Sequence, residues 1–269
     1  MDDISTRPFA VVTGASSGIG LELARQFAAN GFELLIAAED GELLAAAEEL
    51  RAAGASVDAV QVDLAAPGGV EELYARIRAC GRPVDALALN AGIGAGGSFA
   101  GPDPKRTNLH DELAIIDLNV RSTVHLAKLV ITDMVARNEG RVLFTSSIAA
   151  TIPGAFQAVY NASKSFVQSF ALALRNELED TDVTVTMLMP GPTETEFFER
   201  ADMLDTNVGS GDQDDPADVA RDGFEAMMNG DERVVSASLS TKLQGRFSRA
   251  LPDSMKAAQH RKMAEPGSD

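Results

Sequence analysis

The sequence predicts a three-layer α/β fold in which helices cover both faces of a doubly wound, mainly parallel sheet of about seven strands. Over the first two-thirds of the 269 residues, short apolar runs alternate with longer amphipathic stretches rich in Ala and Leu. This alternation is typical of parallel strands that are joined by helices. The apolar runs are nearly continuous in Val, Leu and Ala, as expected for strands that are buried on both faces.

The first half of the sheet is predicted from one recurring pattern, in which an apolar run is followed by a turn and an amphipathic stretch. Strands are expected at 9–13, 33–38 and 56–62, and helices at 19–30, 42–53 and 70–80. Because each pair continues into the next strand, the connections are of the crossover type that parallel strands need.

The second half begins with a strand at 86–90, a loop at 92–108 rich in Gly and Pro, and a long helix at 109–137. Strands at 141–146 and 183–189 flank a helix at 159–179. The segment at about 193–216 follows the sixth strand and ends in a polar stretch. A loop of this length is a lid, a binding loop or a disordered insertion. Its position after the sixth strand favours the first of these, a lid.

We expect one domain over residues 1–237, because no Pro- or Gly-rich linker divides the chain into two equal cores. Residues 238–269 are expected to form a helical tail, in which Leu239, Leu243, Phe247 and Leu251 make one apolar stripe with basic residues alongside. Such a helix packs on the body or across a dimer. The alternative is a basic amphipathic helix that rests on a membrane surface.

Composition excludes several classes of protein. A formal net charge of −17 argues against a general nucleic-acid binder, because an acidic surface repels phosphate. The single Cys80 leaves no internal disulfide and no thiolate cluster for a metal. No apolar run reaches the roughly 18 residues of a membrane-spanning helix, and the acidic start at 1–5 is unlike a signal peptide. We therefore expect a cytoplasmic protein without a metal site and without membrane association.

The sharpest local motif lies where the first strand ends and a helix begins, and reads Thr13-Gly14-Ala15-Ser16-Ser17-Gly18-Ile19-Gly20. Its glycines let the backbone turn tightly and approach a pyrophosphate. The first N–H groups of the helix and its positive dipole end then favour that anion. The alternative is an ordinary Gly/Ser turn, but the strand–turn–helix context favours nucleotide binding.

Polar residues also follow the third and fourth strands. Asp63 ends the third strand, and Asn90-Ala91-Gly92 ends the fourth. Both lie at the carboxyl edge of the sheet, where doubly wound folds bind ligands. The Asp63 carboxylate could accept a hydrogen bond from an adenine amino group, or could cap a turn instead.

A Tyr/Lys pair starts the helix at 159–179. Tyr160 and Lys164 are four residues apart and share one helix face. A nearby cation favours the phenolate and so brings the Tyr hydroxyl toward acid–base work at neutral pH. Such pairs usually lie on a surface, but Ser147 follows the fifth strand and could bind a substrate oxygen beside the phenol. Asn119 falls within the long helix, where a buried amide needs a partner.

These motifs together resemble the short-chain dehydrogenase/reductase family, whose members bind NAD(P) on a Rossmann fold. The resemblance covers roughly Pro8 to Ser236. Its motifs are Thr13-Gly14-x-x-x-Gly18-x-Gly20, Asp63, Asn90-Ala91-Gly92, Asn119, Ser147, Tyr160-x-x-x-Lys164 and Pro190-Gly191-x-x-x-Thr195. Six or seven motifs in this order are far more specific than any one alone.

The resemblance implies hydride transfer between a nicotinamide and the carbon of a secondary alcohol or ketone. It implies that Tyr160 is the general acid/base, that Lys164 lowers its pKa and holds the nicotinamide ribose, and that Ser147 polarises the substrate oxygen. Asn119 would hold a water that relays protons, and Thr195 would contact the carboxamide. The residues expected to contact the cofactor are Gly14, Ser16, Ser17, Gly18, Ile19, Gly20, Glu39, Asp63, Leu64, Asn90, Ala91, Gly92, Tyr160, Lys164, Pro190, Gly191, Thr193 and Thr195.

The cofactor is expected to be NAD rather than NADP. An acidic residue after the second strand binds a free 2′-hydroxyl of the adenosine ribose and repels a 2′-phosphate. Glu39 follows this strand, and neither residues 37–40 nor the glycine loop contains Lys or Arg. However, Glu39 lies one residue beyond the usual acidic position, and Glu39 or Asp40 could simply start the next helix.

The substrate is expected to be a small to medium, largely apolar alcohol or ketone. The candidate pocket walls are Ile93, Phe99, Ile152, Pro153, Phe156, Phe197, Phe198 and Met203. The alternatives are a non-catalytic NAD(H) sensor or partner-docking protein, and epimerase or dehydratase chemistry on a nucleotide sugar. The resemblance further implies a homodimer or homotetramer.

Overall fold

The computed structural model describes residues 7–101, 105–236 and 252–268. Within these residues, seven strands form one parallel sheet in the order β3-β2-β1-β4-β5-β6-β7. The strands are β1 (Phe9–Thr13), β2 (Glu33–Ala38), β3 (Val57–Gln61), β4 (Ala86–Leu89), β5 (Gly140–Thr145), β6 (Val183–Pro190) and β7 (Arg233–Ser236). The predicted doubly wound fold is confirmed.

The helices largely follow the predicted amphipathic stretches. They are α1 (Gly18–Ala29), α2 (Glu42–Ala52), α3 (Gly69–Ala79), α4 (Leu109–Ile115), α5 (Thr123–Arg137), α6 (Ala158–Glu177), α7 (Phe197–Arg200), α8 (Asn207–Ser210), α9 (Pro216–Asn229) and α10 (Asp253–Ala264). The prediction of one helix over 109–137 is wrong in one respect, because a π-helix at Ile116–Ser122 separates α4 from α5.

Both faces of the sheet are buried, because successive side chains of each strand point to opposite faces. Val11 and Leu35 belong to the face that packs against α3, α5 and α6. Val12 and Ile36 belong to the face that packs against α1, α2 and α9.

The order of the strands reverses at β1, which pairs with β2 on one side and with β4 on the other. The loops after β1 and β4 therefore leave the sheet toward opposite layers and open a crevice at its carboxyl edge. Crevices of this kind are where doubly wound folds bind ligands.

A third, smaller cluster lies outside the two main layers. Its buried members are Phe198, Ala201, Met203 and Ala264, which join the segment after β6 to α10. The predicted stripe from Leu239 to Leu251 lies outside the described residues. Among the residues that the structure describes, no helix is long and apolar enough to cross a membrane.

Candidate active site

A cavity of about 1280 Å³ opens at the carboxyl edge of the sheet. Every residue that the sequence predicts to contact the cofactor lies on its wall, together with Ser147. The topology thus brings together loops from β1, β2, β3, β4, β5 and β6, and the N-terminal part of α6.

The glycine loop fits closely against its surroundings. Gly14 has a φ of +65°, and a Cβ atom there would lie 2.8 Å from the Ala91 Cα. Gly18 has a φ of +53°, and its Cβ would lie 2.8 Å from the Thr195 Cγ2. A Cβ at Gly20 would lie 1.8 Å from the Gly14 carbonyl oxygen. Each glycine is therefore required by close approach, and two also by backbone conformation.

The start of α1 suits a bound phosphate. Ser17 is its N-cap residue, and its side chain makes no capping hydrogen bond. Ser17, Gly18, Ile19 and Gly20 all line the cavity. Uncapped N–H groups at a helix N-terminus, beside a cradle without side chains, match the requirements of a dinucleotide pyrophosphate.

Asn90 ties three strand ends together. Its backbone N–H donates to the Thr13 Oγ1 at 3.0 Å, and its side-chain Nδ2 donates to the Gly14 carbonyl at 3.3 Å. The Thr145 hydroxyl donates to the Asn90 Oδ1 at 3.0 Å. Asn90 therefore fixes the glycine loop against β4 and β5, besides lining the cavity.

Ser147 and Tyr160 meet beside the end of β5. The Ser147 Oγ accepts a hydrogen bond from the Ala149 N–H at 3.1 Å, which caps a short 3-10 helix at Ile148–Thr151. Burial raises the pKa of Tyr160 to about 12, although the hydrogen bond with the Ser147 side chain acts in the opposite direction. The phenol is therefore held in its protonated form at neutral pH.

Lys164 is buried, with an exposure of 6%. Its Nζ donates to the Thr145 carbonyl at 3.1 Å and lies 5.9 Å from the centre of the Tyr160 ring. Burial lowers the pKa of Lys164 to about 8. Burial therefore acts on both side chains, and it favours the neutral form of each.

Asn119 is not on the cavity wall and is 1% exposed. Its Oδ1 accepts from the Ile93 N–H at 2.9 Å, and its Nδ2 donates to the Ile93 carbonyl at 2.9 Å and to the Ser163 Oγ at 3.0 Å. The side chain thus holds the loop after β4, where a Cβ at Gly92 would lie 3.0 Å from the Lys164 Nζ. These hydrogen bonds position the loop that follows β4.

The edge expected to meet the adenosine ribose is acidic. Glu39 is exposed on the cavity wall. Asp40 accepts from the Ser16 hydroxyl at 2.9 Å through Oδ2 and from the Glu42 N–H at 3.1 Å through Oδ1. The alternative that an acidic residue starts the next helix therefore applies to Asp40, whereas Glu39 remains on the wall.

Sequence reasoning missed a cation at this edge. Arg200 of α7 lies on the cavity wall, 3.8 Å from the Asp40 carboxylate and 3.6 Å from that of Glu42. It also pairs with Glu196 one helical turn away. Nothing in the local sequence of β2 indicates this contact, because it comes from the segment after β6 folding back over the glycine loop.

Asp63 caps a turn and also lies on the cavity wall. Its side chain is exposed on the cavity wall, and its Oδ1 accepts from the Ala65 N–H at 2.8 Å. This hydrogen bond orders the turn before α3.

The substrate end of the cavity is partly as predicted. Ile93, Ile152, Phe197 and Phe198 line it, and the Phe197 ring lies 5.1 Å from that of Tyr160. The other predicted walls do not line this cavity. Phe99 is 61% exposed on an outer surface, Pro153 is exposed, Met203 is fully buried, and Phe156 packs against the Met203 cluster.

No group of three or more His, Cys, Asp or Glu suited to a metal ion occurs in the described ranges. The donor set of the cavity consists of hydroxyls, amides and backbone groups around a glycine cradle, which fits a dinucleotide.

Comparison with known proteins agrees with this geometry. The family model of the short chain dehydrogenases matches residues 8–205. The NADP-dependent 3-hydroxy acid dehydrogenase YdfG of Salmonella typhi is 34% identical over 181 residues, which are 67% of this chain and 71% of that protein.

Two solved structures show the same architecture. A short-chain dehydrogenase from Sphingobium yanoikuyae in complex with NADPH has a TM-score of 0.78 and 26% identity, over 91% of this chain and 96% of that one. A short chain dehydrogenase/reductase from Burkholderia phymatum in complex with NAD has a TM-score of 0.80 and 27% identity, over 89% and 92%. The chain belongs to the short-chain dehydrogenase/reductase family and is an NAD(P)-binding oxidoreductase.

Proposed function

We propose that the protein interconverts a secondary alcohol and a ketone, with Tyr160 as the general acid/base. The observation that carries this proposal is the grouping of Ser147, Tyr160 and Lys164 on one wall of the cavity, directly beside the apolar side chains of Ile93 and Phe197. A module that only binds a nucleotide has no chemical need for a phenol next to a buried ammonium.

A bound nicotinamide supplies the donor or acceptor of hydride. In the reductive direction, the Tyr160 hydroxyl donates its proton to the substrate oxygen as negative charge develops there, while the Ser147 hydroxyl orients that oxygen. In the oxidative direction, the Tyr160 phenolate takes the proton of the alcohol. Lys164 stabilises the phenolate, since its ammonium is the nearest buried cation on this wall.

The substrate proposed is small to medium in size and largely apolar. Ile93, Ile152 and Phe198 supply the apolar walls, and the polar groups beside them belong to the catalytic set. This combination suits a ligand with one reacting oxygen on an apolar skeleton.

The experiment follows NADH oxidation with a panel of apolar ketones in the wild type, Tyr160→Phe and Tyr74→Phe. Tyr74 is a matched control, because it is the other of the two tyrosines and its hydroxyl donates a hydrogen bond to Asp133. Removing a general acid costs about 10²- to 10⁴-fold in rate, so Tyr160→Phe should lose at least a hundredfold while Tyr74→Phe stays active. NADH binding without turnover of any alcohol or ketone would favour a non-catalytic NAD(H) sensor instead.

We also propose NAD as the preferred cofactor, because Glu39 follows β2 on the cavity wall and an acidic residue after this strand repels a 2′-phosphate. Known relatives include proteins with either dinucleotide, so the proposal depends on this chain's own residues. The test is a titration of NADH and then NADPH, followed by nicotinamide fluorescence. Tighter binding of NADPH would contradict it.

A homodimer or homotetramer is proposed from an apolar surface outside the cavity. Phe99, Ile116 and Phe166 are 61%, 42% and 42% exposed and border one groove on the outer side of α6. Apolar patches of this kind mark protein–protein contacts, and a second copy of the chain is the occupant proposed. Light scattering after size exclusion tests it, and a monomer would contradict it. A cytoplasmic location stays a prediction.

A further inference from the structure

The helix α10 lies against the substrate end of the cavity. Gln259, His260 and Met263 of this helix are on the cavity wall. Ala264 is fully buried in the cluster with Phe198 and Met203. The helix therefore packs on the segment after β6, and one of its faces looks into the site.

Hydrogen bonds fix α10 to that segment at its C-terminal end. The Gly267 N–H donates to the Asp205 carbonyl at 2.9 Å. Asn207 donates from Nδ2 to the Lys262 carbonyl at 3.1 Å and from its backbone to the Ser268 Oγ at 3.2 Å. These hydrogen bonds and the shared cluster join α10 to the segment after β6.

His260 connects α10 to the loop that precedes Tyr160. It is 6% exposed, and its Nδ1 lies 2.9 Å from the Ala155 carbonyl oxygen. A carbonyl only accepts, so Nδ1 carries the proton and Nε2 is the acceptor. The Nε2 lies 3.4 Å from the Nδ2 of Asn161, the residue after Tyr160.

The same amide reaches the rest of this loop. The Asn161 Nδ2 donates to the carbonyls of Ala149 at 3.1 Å and Ile152 at 3.2 Å. The His260 Nε2 is a third and longer partner at 3.4 Å, which shares these two N–H groups. His260 and Asn161 thus hold the loop between β5 and α6 in place, and this loop carries the Ile152 wall of the cavity. Burial lowers the pKa of His260, which keeps the ring neutral and the acceptor available.

We propose that α10 forms the distal wall of the substrate pocket, that His260 positions this wall against the loop before Tyr160, and that Met263 sets the size of the apolar substrate. This inference rests on the proposed alcohol–ketone activity and names the residue that selects among its substrates. Met263 is suited to this role, because a partly buried thioether on a cavity wall fills irregular apolar space.

The first test measures kcat/KM for 2-alkanones from butanone to 2-decanone in the wild type, Met263→Ala and Met263→Trp. Shortening Met263 frees room for about two methylene groups, so the ratio of long to short ketones should rise about tenfold in Met263→Ala. It should fall at least as much in Met263→Trp. Met255→Ala is the matched control, because Met255 lies on the same helix and is 54% exposed. An unchanged chain-length profile in both Met263 variants would overturn the inference.

A second test separates the position of the helix from the activity. The chain contains no Trp, so Met263→Trp and Met255→Trp each report on one site. Acrylamide should quench the fluorescence of Met263→Trp several-fold less than that of Met255→Trp. Equal quenching of the two variants would contradict the proposal that α10 forms a wall of the pocket, whether or not any ketone is reduced. If the wild type reduces no ketone while the contrast persists, the proposed activity fails and the wall stands.

The role of His260 is tested by a split between KM and kcat. His260→Ala removes both hydrogen bonds and should raise KM for 2-octanone about tenfold, with the NADH dissociation constant unchanged. His260→Gln keeps a donor and an acceptor and should restore most of the loss. If His260→Ala and His260→Gln raise KM equally, and each also raises the NADH dissociation constant by the same factor, His260 has a merely structural role. That result would contradict the positioning role.

Discussion

The Lys164 Nζ lies 5.9 Å from the centre of the Tyr160 ring and gives a hydrogen bond to the Thr145 carbonyl at 3.1 Å. The ammonium is thus anchored to the end of β5 and lies close to the phenol. Burial acts on both groups in the direction of their neutral forms, because a charge is costly in a low dielectric. The attraction between the two side chains is therefore strongest when the phenol loses its proton and becomes a negatively charged phenolate.

The two directions of reaction should therefore differ in their dependence on pH. The pKa of Tyr160 is raised to about 12, so the proton donor for ketone reduction is fully present at neutral pH. The phenolate needed for alcohol oxidation is scarce and increases with pH. We expect kcat/KM for oxidation to rise several-fold per unit between about pH 6 and 8, while that for reduction stays level. An oxidation rate that is flat or falls over this range would contradict the assignment.

Replacing Lys164 should abolish activity but stabilise the folded protein. Its pKa falls from an ordinary 10.5 to about 8 in the folded protein, so the unfolded chain binds the proton more tightly. The free-energy cost of burying the protonated lysine is fully present below pH 8 and disappears as the pH rises above 10.5. At neutral pH the shift corresponds to about 3 kcal/mol, and the lost hydrogen bond offsets about 1 kcal/mol of it. Lys164→Met should raise the free energy of unfolding by about 1–3 kcal/mol and should abolish turnover.

Urea unfolding of wild type and Lys164→Met checks this sign at pH 7 and pH 10. The difference between the two proteins should shrink at the higher pH, since the wild-type lysine then costs less to bury. A variant that is less stable than the wild type at pH 7 would show that the contacts of the ammonium outweigh its desolvation.

Gly14→Ala should weaken the cofactor site more than a comparable change elsewhere. A Cβ at Gly14 meets the Ala91 backbone at 2.8 Å, whereas one at Gly31 meets nothing within 4 Å. Both glycines have positive φ, at +65° and +82°, so Gly31→Ala carries the same backbone strain of about 1 kcal/mol. NADH affinity should fall at least tenfold in Gly14→Ala and stay unchanged in Gly31→Ala. Equal affinity in both variants would mean that the loop relaxes at no cost.

Most of the fold follows from local patterns in the sequence. The bounds of β1 and β2 are as predicted, at Phe9–Thr13 and Glu33–Ala38, because a strand buried on both faces is a plain apolar run. The glycine loop and the Tyr160–Lys164 spacing are equally local. The π-helix at Ile116–Ser122 is not, since nothing in its composition distinguishes it from the α-helical turns on either side.

The contacts that sequence reasoning missed join distant parts of the chain. Arg200 reaches Asp40 only because the segment after β6 folds over the glycine loop. His260 reaches Asn161 only because α10 returns to the cavity. Neither residue carries a motif, and a single sequence contains no signal for such pairings.

Arg200 also bears on the choice of cofactor and sharpens its test. The edge of the cavity at Glu39 and Asp40 is acidic, but the Arg200 guanidinium already lies 3.8 Å from the Asp40 carboxylate. Removing the charge of Glu39 therefore leaves a cation near the place where a 2′-phosphate would bind. We expect Glu39→Gln to lower the ratio of the NADPH to the NADH dissociation constant about tenfold, chiefly through tighter NADPH binding.

Glu42→Gln is the matched control for this change. Glu42 pairs with the same Arg200 at 3.6 Å, and its replacement by Gln removes the same charge. Unlike Glu39, Glu42 does not line the cavity. Exposed ion pairs contribute about 0–1 kcal/mol, so this variant should move the ratio less than threefold. If both variants shift the ratio equally, the preference comes from the general negative field of the protein, and Glu39 does not select the cofactor by contact.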